Sequence, residues 1–231
     1  MKKAIVVGAT SGIGKELAIL LANNNYKVGI TGRRIEKLQE IENSNPEAFI
    51  SKYFNCTLDN NSKKLEELVN ELGGLDLLVM SSGVGNINEG LDFDIEQTTV
   101  ALNVVAFTEI MTWAYNYFES QSYGHIVGIS SVVGLRGSRF APAYNASKSY
   151  QINYLEGLRQ KAQHSKSQIQ ITDIRPGFVD TAMAKGDGQF WVASKEKAAK
   201  QILSHIEKNK NIGYVTKRWR LIASLLMAIP N

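Results

Sequence analysis

Seven short runs rich in valine, isoleucine and leucine punctuate the chain: KAIVVG, KVGIT, AFISKYF, LDLLVMS, HIVGIS, IQITDIR and IGYVT. Each is about one strand long and is followed by glycine or polar residues. The stretches between them are longer and carry apolar residues at helical spacing, as in Leu17, Leu20 and Leu21 or Leu65, Leu68, Val69 and Leu72. Strand and helix therefore alternate along the chain. Runs that are apolar on both sides belong in a sheet covered on both faces, and parallel neighbours need a crossover of about a helix's length. The pattern predicts an α/β fold, doubly wound, with a seven-stranded parallel sheet and helices on both faces. In such sheets ligands bind beyond the carboxyl ends of the strands, so the residues after each run are the candidates for chemistry.

Composition narrows the picture. The 231 residues, 44% apolar and 21% charged, suffice for a full core, and no shift in composition divides them. One domain over residues 1–231 is expected, with 217–231 a basic and apolar tail. The net charge of +4 is small and its basic residues are scattered except near the end, so no nucleic-acid partner is expected. The single cysteine, Cys56, can form no internal disulfide, and His125, His164 and His205 lie far apart without metal-ligand spacing. A reducing cytoplasm and a site without metal follow as expectations. The opening MKKAIVVG resembles the start of a secretion signal, but its apolar part stops at Gly8 and reads better as a first strand. No stretch approaches the roughly 18 apolar residues of a spanning helix.

The first candidate chemistry is VGATSGIGKEL, which follows the first strand and opens the first helix with Gly8, Gly12 and Gly14. Residues without a Cβ let backbone N–H groups close on a pyrophosphate, and a helix N-terminus behind them favours negative charge. Three glycines alone could be a plain turn; their place at the first strand-to-helix junction gives them meaning. The second strand ends ITGRRIEKL, where an acidic side chain would select a free ribose 2'-hydroxyl. Here Gly32 is followed by Arg33 and Arg34, with no acid between Lys27 and Arg34. Arginine suits a 2'-phosphate, so the spacing favours NADP (NADPH), with NAD as the other candidate. The alternative is a solvated first helical turn.

APAYNASKSY places Tyr144 and Lys148 four positions apart at the start of a helix, on one face. A free phenol titrates near ~10, and a neighbouring ammonium favours its ionised form, bringing it toward working pH. By itself one such pair among nine tyrosines carries little weight.

Together GATSGIG, NVVAF, HIVGISSVVG, YNASK and RPGFVDT stand in the order and approximate spacing of the short-chain dehydrogenase/reductase family, and the chain resembles that family from residue 4 to about 181. The resemblance implies a Rossmann-type domain and an NAD(P)-dependent oxidoreductase that interconverts a carbonyl and a secondary alcohol, with reduction the expected direction. It implies that Ser131 polarises the substrate oxygen and that Tyr144 is the acid or base. Lys148 would lower the phenol's pKa and hold the nicotinamide ribose, and Asn103 would support a proton-relay water. Cofactor contacts are implied at Gly8, Thr10, Ser11, Gly12, Ile13 and Gly14 of the turn, at Arg33 and Arg34, and at Asn55, Cys56, Ser82 and Gly83. Around the nicotinamide they fall on Tyr144, Lys148, Pro176, Gly177, Val179 and Thr181. The chain departs from the family pattern at Val7, at Asn55 and at Met80, Ser81 and Ser82, all near the adenine half of the cofactor.

Val133, Leu135, Phe140, Phe178, Phe190 and Trp191 are candidate walls for a small apolar carbonyl or alcohol substrate, beneath a lid with Gly186 and Gly188. In the tail, Lys217, Arg218, Trp219 and Arg220 precede Ile222, Leu225, Leu226 and Ile229 on one helical face. That face suits packing on protein or, through 217–230, peripheral contact with a membrane surface. The family habit implies a homodimer or homotetramer, for which the nearly all-apolar ALNVVAFTEIMTWAYNYF is the candidate surface. Two rivals remain in view: a cofactor-binding regulator or scaffold with little turnover, and a sugar-nucleotide epimerase, which the GxxxGxG spacing disfavours.

Overall fold

The structure, a computed structural model, describes residues 1–58, 60–182 and 190–228. Its seven strands coincide with the seven apolar runs: β1 (Lys2–Val7), β2 (Tyr26–Gly32), β3 (Phe49–Tyr53), β4 (Leu77–Met80), β5 (Tyr123–Ile129), β6 (Gln168–Pro176) and β7 (Ile212–Val215). They form one sheet in the order β3-β2-β1-β4-β5-β6-β7, and every neighbouring pair is parallel. The helices between them are α1 (Gly12–Asn23), α2 (Ile35–Ser44), α3 (Asn61–Leu72), α4 (Phe93–Val100), α5 (Phe107–Gln121), α6 (Pro142–Gln163), α7 (Lys195–Glu207) and α8 (Trp219–Ala228). The doubly wound expectation holds.

The pleat explains why the runs are continuously apolar. Along β1, Ala4 and Val6 join the layer built on α1, α2 and α7, whereas Ile5 and Val7 join the layer on α3, α5 and α6. The inner strands are largely buried on both sides, so they have little polar face to show, whereas the edge strands β3 and β7 are partly exposed. The strand order reverses direction between β1 and β4, which opens a crevice at their carboxyl ends.

Two local features shape that crevice. Between α4 and α5 the helix widens into a π turn over Ala101–Ala106, a distortion that redirects backbone carbonyls and is common at functional sites. Helix α8 turns Trp219 and Ala223 inward, while Leu221, Leu225 and Met227 are exposed. The tail thus packs on its own chain, but not by the expected stripe: Leu225 faces out, and Ile229 lies outside the described residues. Trp219 decides the orientation, because it packs on Phe178 and Phe190, with ring centroids 5.5 and 5.1 Å away. Among the described residues no helix is long and apolar enough to cross a membrane.

Candidate active site

The glycine turn closes directly on the segment after β4. Gly8 has φ +90°, and a Cβ there would lie 2.5 Å from Ser82 Oγ. A Cβ on Gly14 would lie 2.2 Å from the carbonyl oxygen of Gly8, so Gly14 lets the first turn of α1 sit flush against the loop. Ser81 and Ser82, the departures from the family pattern, fill this contact: Ser81 N–H donates to the Val7 carbonyl at 2.9 Å, and Met80 is buried in the core. Ser11 stands at the N-cap of α1 without capping it, so its side chain leaves the first N–H groups of the helix without that acceptor.

The hydroxyls of this turn are held by an arginine. Arg34 donates through Nη2 to Thr10 Oγ1 at 2.6 Å and to Ser11 Oγ at 2.7 Å, and through Nε to Thr10 at 3.2 Å. It is the N-cap residue of α2, and Arg33 stands beside it on the same cavity. A Cβ at position 32 would come within 2.5 Å of the Thr10 methyl, so a side chain there would displace Thr10. Asn55 turns back on its own loop, its Oδ1 accepting from Thr57 Oγ1 at 2.9 Å and from Thr57 N–H at 3.2 Å.

At the other end of the crevice, Ser131 follows β5 and caps a short 3-10 turn (Val132–Leu135), accepting from Val133 N–H and donating to the Pro176 carbonyl, each at 3.3 Å. Pro142 starts α6, which is why Tyr144 falls in its first turn. The phenol ring lies on the backbone at Gly85, where a Cβ would come within 2.7 Å of it. Lys148, one turn on, is only 4% exposed, and its Nζ donates to the Ile129 carbonyl at 3.0 Å and to Gln151 Oε1 at 2.8 Å. Its ammonium lies 5.9 Å from the centre of the Tyr144 ring.

Burial dominates the titration of both groups. It pulls the Lys148 ammonium down to about 8, against the opposing charge of Asp173. It pushes the Tyr144 phenol above its ordinary value, with a hydrogen bond from Ser131 acting the other way. The Lys148 ammonium is turned onto the Ile129 carbonyl and Gln151 Oε1, and the phenol is raised by its own burial. At neutral pH Tyr144 is a phenol, able to donate a proton.

Asn103 is brought near this cluster but not into the open cavity. It is fully buried in the π turn, accepting from Val84 N–H at 3.0 Å and donating to the Val84 carbonyl at 2.7 Å and to Ser147 Oγ at 3.0 Å. Gly14 likewise stands behind the wall and shapes it. The remaining expected contacts, from Thr10 to Ile13 and from Pro176 to Val179 with Thr181, line one cavity of about 1170 Å³ together with Asn55, Cys56, Ser82, Gly83, Ser131, Tyr144 and Lys148. That exceeds the roughly 300–1,000 Å³ of an ordinary small-ligand pocket, leaving room for a dinucleotide and a second molecule.

Of the expected apolar walls, Val133, Phe178 and Phe190 line the cavity, whereas Leu135, Phe140 and Trp191 do not. Gly186 and Gly188 lie outside the described residues. Trp219 and Leu226 were missed as walls. Trp219 lies against Gly177, where a Cβ would overlap its indole ring, and the Leu226 carbonyl accepts from Arg136 Nε at 2.6 Å. These contacts draw α8 over the end of the cavity, and no local motif marks them.

Residues 2–190 match the model of the short chain dehydrogenase family. The chain belongs to the short chain dehydrogenase family. An uncharacterized oxidoreductase of Staphylococcus saprophyticus is 32% identical over 209 residues, covering 87% of this chain and 87% of that protein. One of Myxococcus xanthus is 30% identical over 188 residues, covering 79% of this chain and 74% of that protein. Among solved structures, ElxO with NADP bound superposes with a TM-score of 0.80 at 22% identity, covering 93% of this chain and 96% of that one. A short-chain dehydrogenase from Sphingobium yanoikuyae in complex with NADPH gives 0.84 at 18% identity, covering 100% and 97%. One from Burkholderia phymatum in complex with NAD gives 0.87 at 17% identity, covering 97% and 92%. Short chain dehydrogenases are NAD(P)-dependent oxidoreductases, and the seven-stranded parallel sheet of this chain is the fold it shares with those structures.

Proposed function

We propose that the protein is an NADP-dependent oxidoreductase that reduces an apolar carbonyl compound to a secondary alcohol, with Tyr144 as the proton donor. The observation that carries this reading is the convergence of Ser131, Tyr144 and Lys148 at one end of a cavity whose other end presents Arg33 and Arg34. The residues fit the cofactor: a glycine cradle that a Cβ would fill, an uncapped helix end for the pyrophosphate and a guanidinium on the Thr10 and Ser11 hydroxyls for the 2'-phosphate. NADP and NADPH in ElxO and in the Sphingobium protein support the same choice.

When bound, the nicotinamide supplies the hydride. The chain's own residues would do the rest. Ser131 Oγ polarises the carbonyl oxygen, and Tyr144 gives that oxygen its proton as negative charge develops there. Lys148, cationic below about pH 8, holds the ribose and stabilises the phenolate that Tyr144 becomes. Pro176, Gly177, Val179 and Thr181 position the nicotinamide, and Asn55, Cys56, Ser82 and Gly83 the adenosine side. Phe178, Phe190, Trp219 and Leu226 exclude water around the substrate. The protein would work in the cytoplasm as a homodimer or homotetramer. The exposed face of α8, with Arg218 and Arg220 beside Leu221 and Leu225, is its candidate surface for peripheral membrane contact.

The test is oxidation of NADPH against a panel of apolar ketones and aldehydes, with Tyr144→Phe as control. Turnover by the native protein and its loss in the variant are expected. A variant as active as the native protein would remove Tyr144 from the chemistry.

A further inference from the structure

Beneath Tyr144 lies a residue that no motif singles out. Gln151 stands one turn beyond Lys148 on α6 and is 1% exposed. A buried carboxamide is costly unless both its ends are bonded, and here both are. Nε2 donates to the backbone carbonyl of Asn103 at 2.9 Å, and Oε1 accepts from Lys148 Nζ at 2.8 Å. The side chain of Asn103 is already engaged by Val84 and Ser147, so its backbone carbonyl is what it offers α6. Among the described residues the ammonium has two acceptors, Gln151 Oε1 and the Ile129 carbonyl, which leaves its third N–H for the cavity that Lys148 lines.

A water between an ammonium and a carbonyl accepts from one and donates to the other. The Gln151 carboxamide makes the same two hydrogen bonds from a side chain anchored on α6. We propose that Gln151 is a positioning residue that bridges Lys148 and the Asn103 carbonyl and so fixes the ammonium in the site. The inference rests on the proposed role of Tyr144.

Two substitutions separate positioning from packing. Gln151→Leu keeps the volume and removes both hydrogen bonds, whereas Gln151→Ala makes room for water to restore them. The groups facing Lys148 are Asp173 on β6, whose carboxylate is paired with Arg175, and Tyr144 on its own helix. None changes in either variant. The first readout needs no turnover: the ¹⁵N resonance of Lys148 Nζ, assigned by its absence in Lys148→Arg, is titrated in cofactor-free protein. In Gln151→Leu the ammonium is expected to titrate lower by about one unit or more, having lost an acceptor. The alkaline limb of kcat with NADPH should move with it, and kcat should fall about tenfold with KM for the carbonyl unchanged. In Gln151→Ala both should stay within about threefold of the native values. Thermal melts check folding, and Gln151→Met replaces the leucine variant if that does not fold. An unshifted Lys148 resonance and pH limb in the apolar variant, or equal impairment of both variants, would overturn the inference. Full turnover by Tyr144→Phe would instead defeat the reading on which it rests.

Discussion

The two ends of the cavity are built differently. At the reacting end, Tyr144 and Lys148 project from a 22-residue helix whose position is fixed by core packing, and Lys148, Gln151 and Asn103 are almost wholly buried. At the other end, Thr10, Ser11 and Arg34 meet on turns, and their hydrogen bonds are exposed. Chemistry that depends on a desolvated proton donor needs the first kind of construction, because burial sets both pKa values. Recognition of a phosphate needs only donors of the right sign at reach, and a turn can supply those. The chain keeps the family's motif at the reacting end, and its departures include buried Val7 and Met80 as well as Asn55, which finds a local partner in Thr57.

Substitutions can break this contrast in order of expected effect. Tyr144→Phe should cost about 10²–10⁴ in kcat and leave NADPH affinity nearly unchanged, since it removes a proton and little binding. A stopped-flow turnover with a separate cofactor titration checks both halves. Gly14→Ala drives a methyl toward the Gly8 carbonyl, 2.2 Å from its ideal position, and should destabilise the turn by about 1–3 kcal/mol. Here cofactor affinity and melting temperature should fall together, the reverse of the Tyr144 result.

Proton chemistry sharpens the comparison. Above about pH 8 Lys148 loses its charge, so kcat/KM should decline by up to about tenfold per pH unit. Stability at this site should move the opposite way. Between about 8 and the ordinary lysine value of 10.5 the unfolded chain keeps a proton that the folded one has released, so the site's contribution grows as pH rises. Denaturant melts across that window beside a rate profile would show the two trends diverging. The smallest effect belongs to the end of the cavity: Leu226→Ala should raise KM for a bulky apolar carbonyl roughly threefold to fivefold with kcat unchanged.

These residues also mark what the sequence could tell. The inner strands were legible because burial on both faces leaves a continuous apolar run, and Tyr144 with Lys148 because one helical turn puts both on one face. Trp219 and Leu226 were not, since their place over Gly177 and beside Arg136 depends on where α8 docks. The periodicity of the tail names its faces but not which one the core accepts, and Leu225 fell on the outer side. Gln151 escaped notice because its partners are a carbonyl 48 positions away and a lysine turned inward. The direction of the Tyr144 shift was equally hidden, because a spacing records which groups are near and not how far they are from water.

The central claim is that this cavity holds NADPH through the arginine end. Paired titrations of the protein with NADPH and NADH, followed by nicotinamide fluorescence and repeated with Arg34→Asp, test it most directly. The account predicts at least about tenfold tighter binding of NADPH, abolished by the substitution, as expected for a charged hydrogen-bonded contact of about 1.5–3 kcal/mol. Equal affinity for the two cofactors in the native protein, or a preference that survives Arg34→Asp, would contradict it.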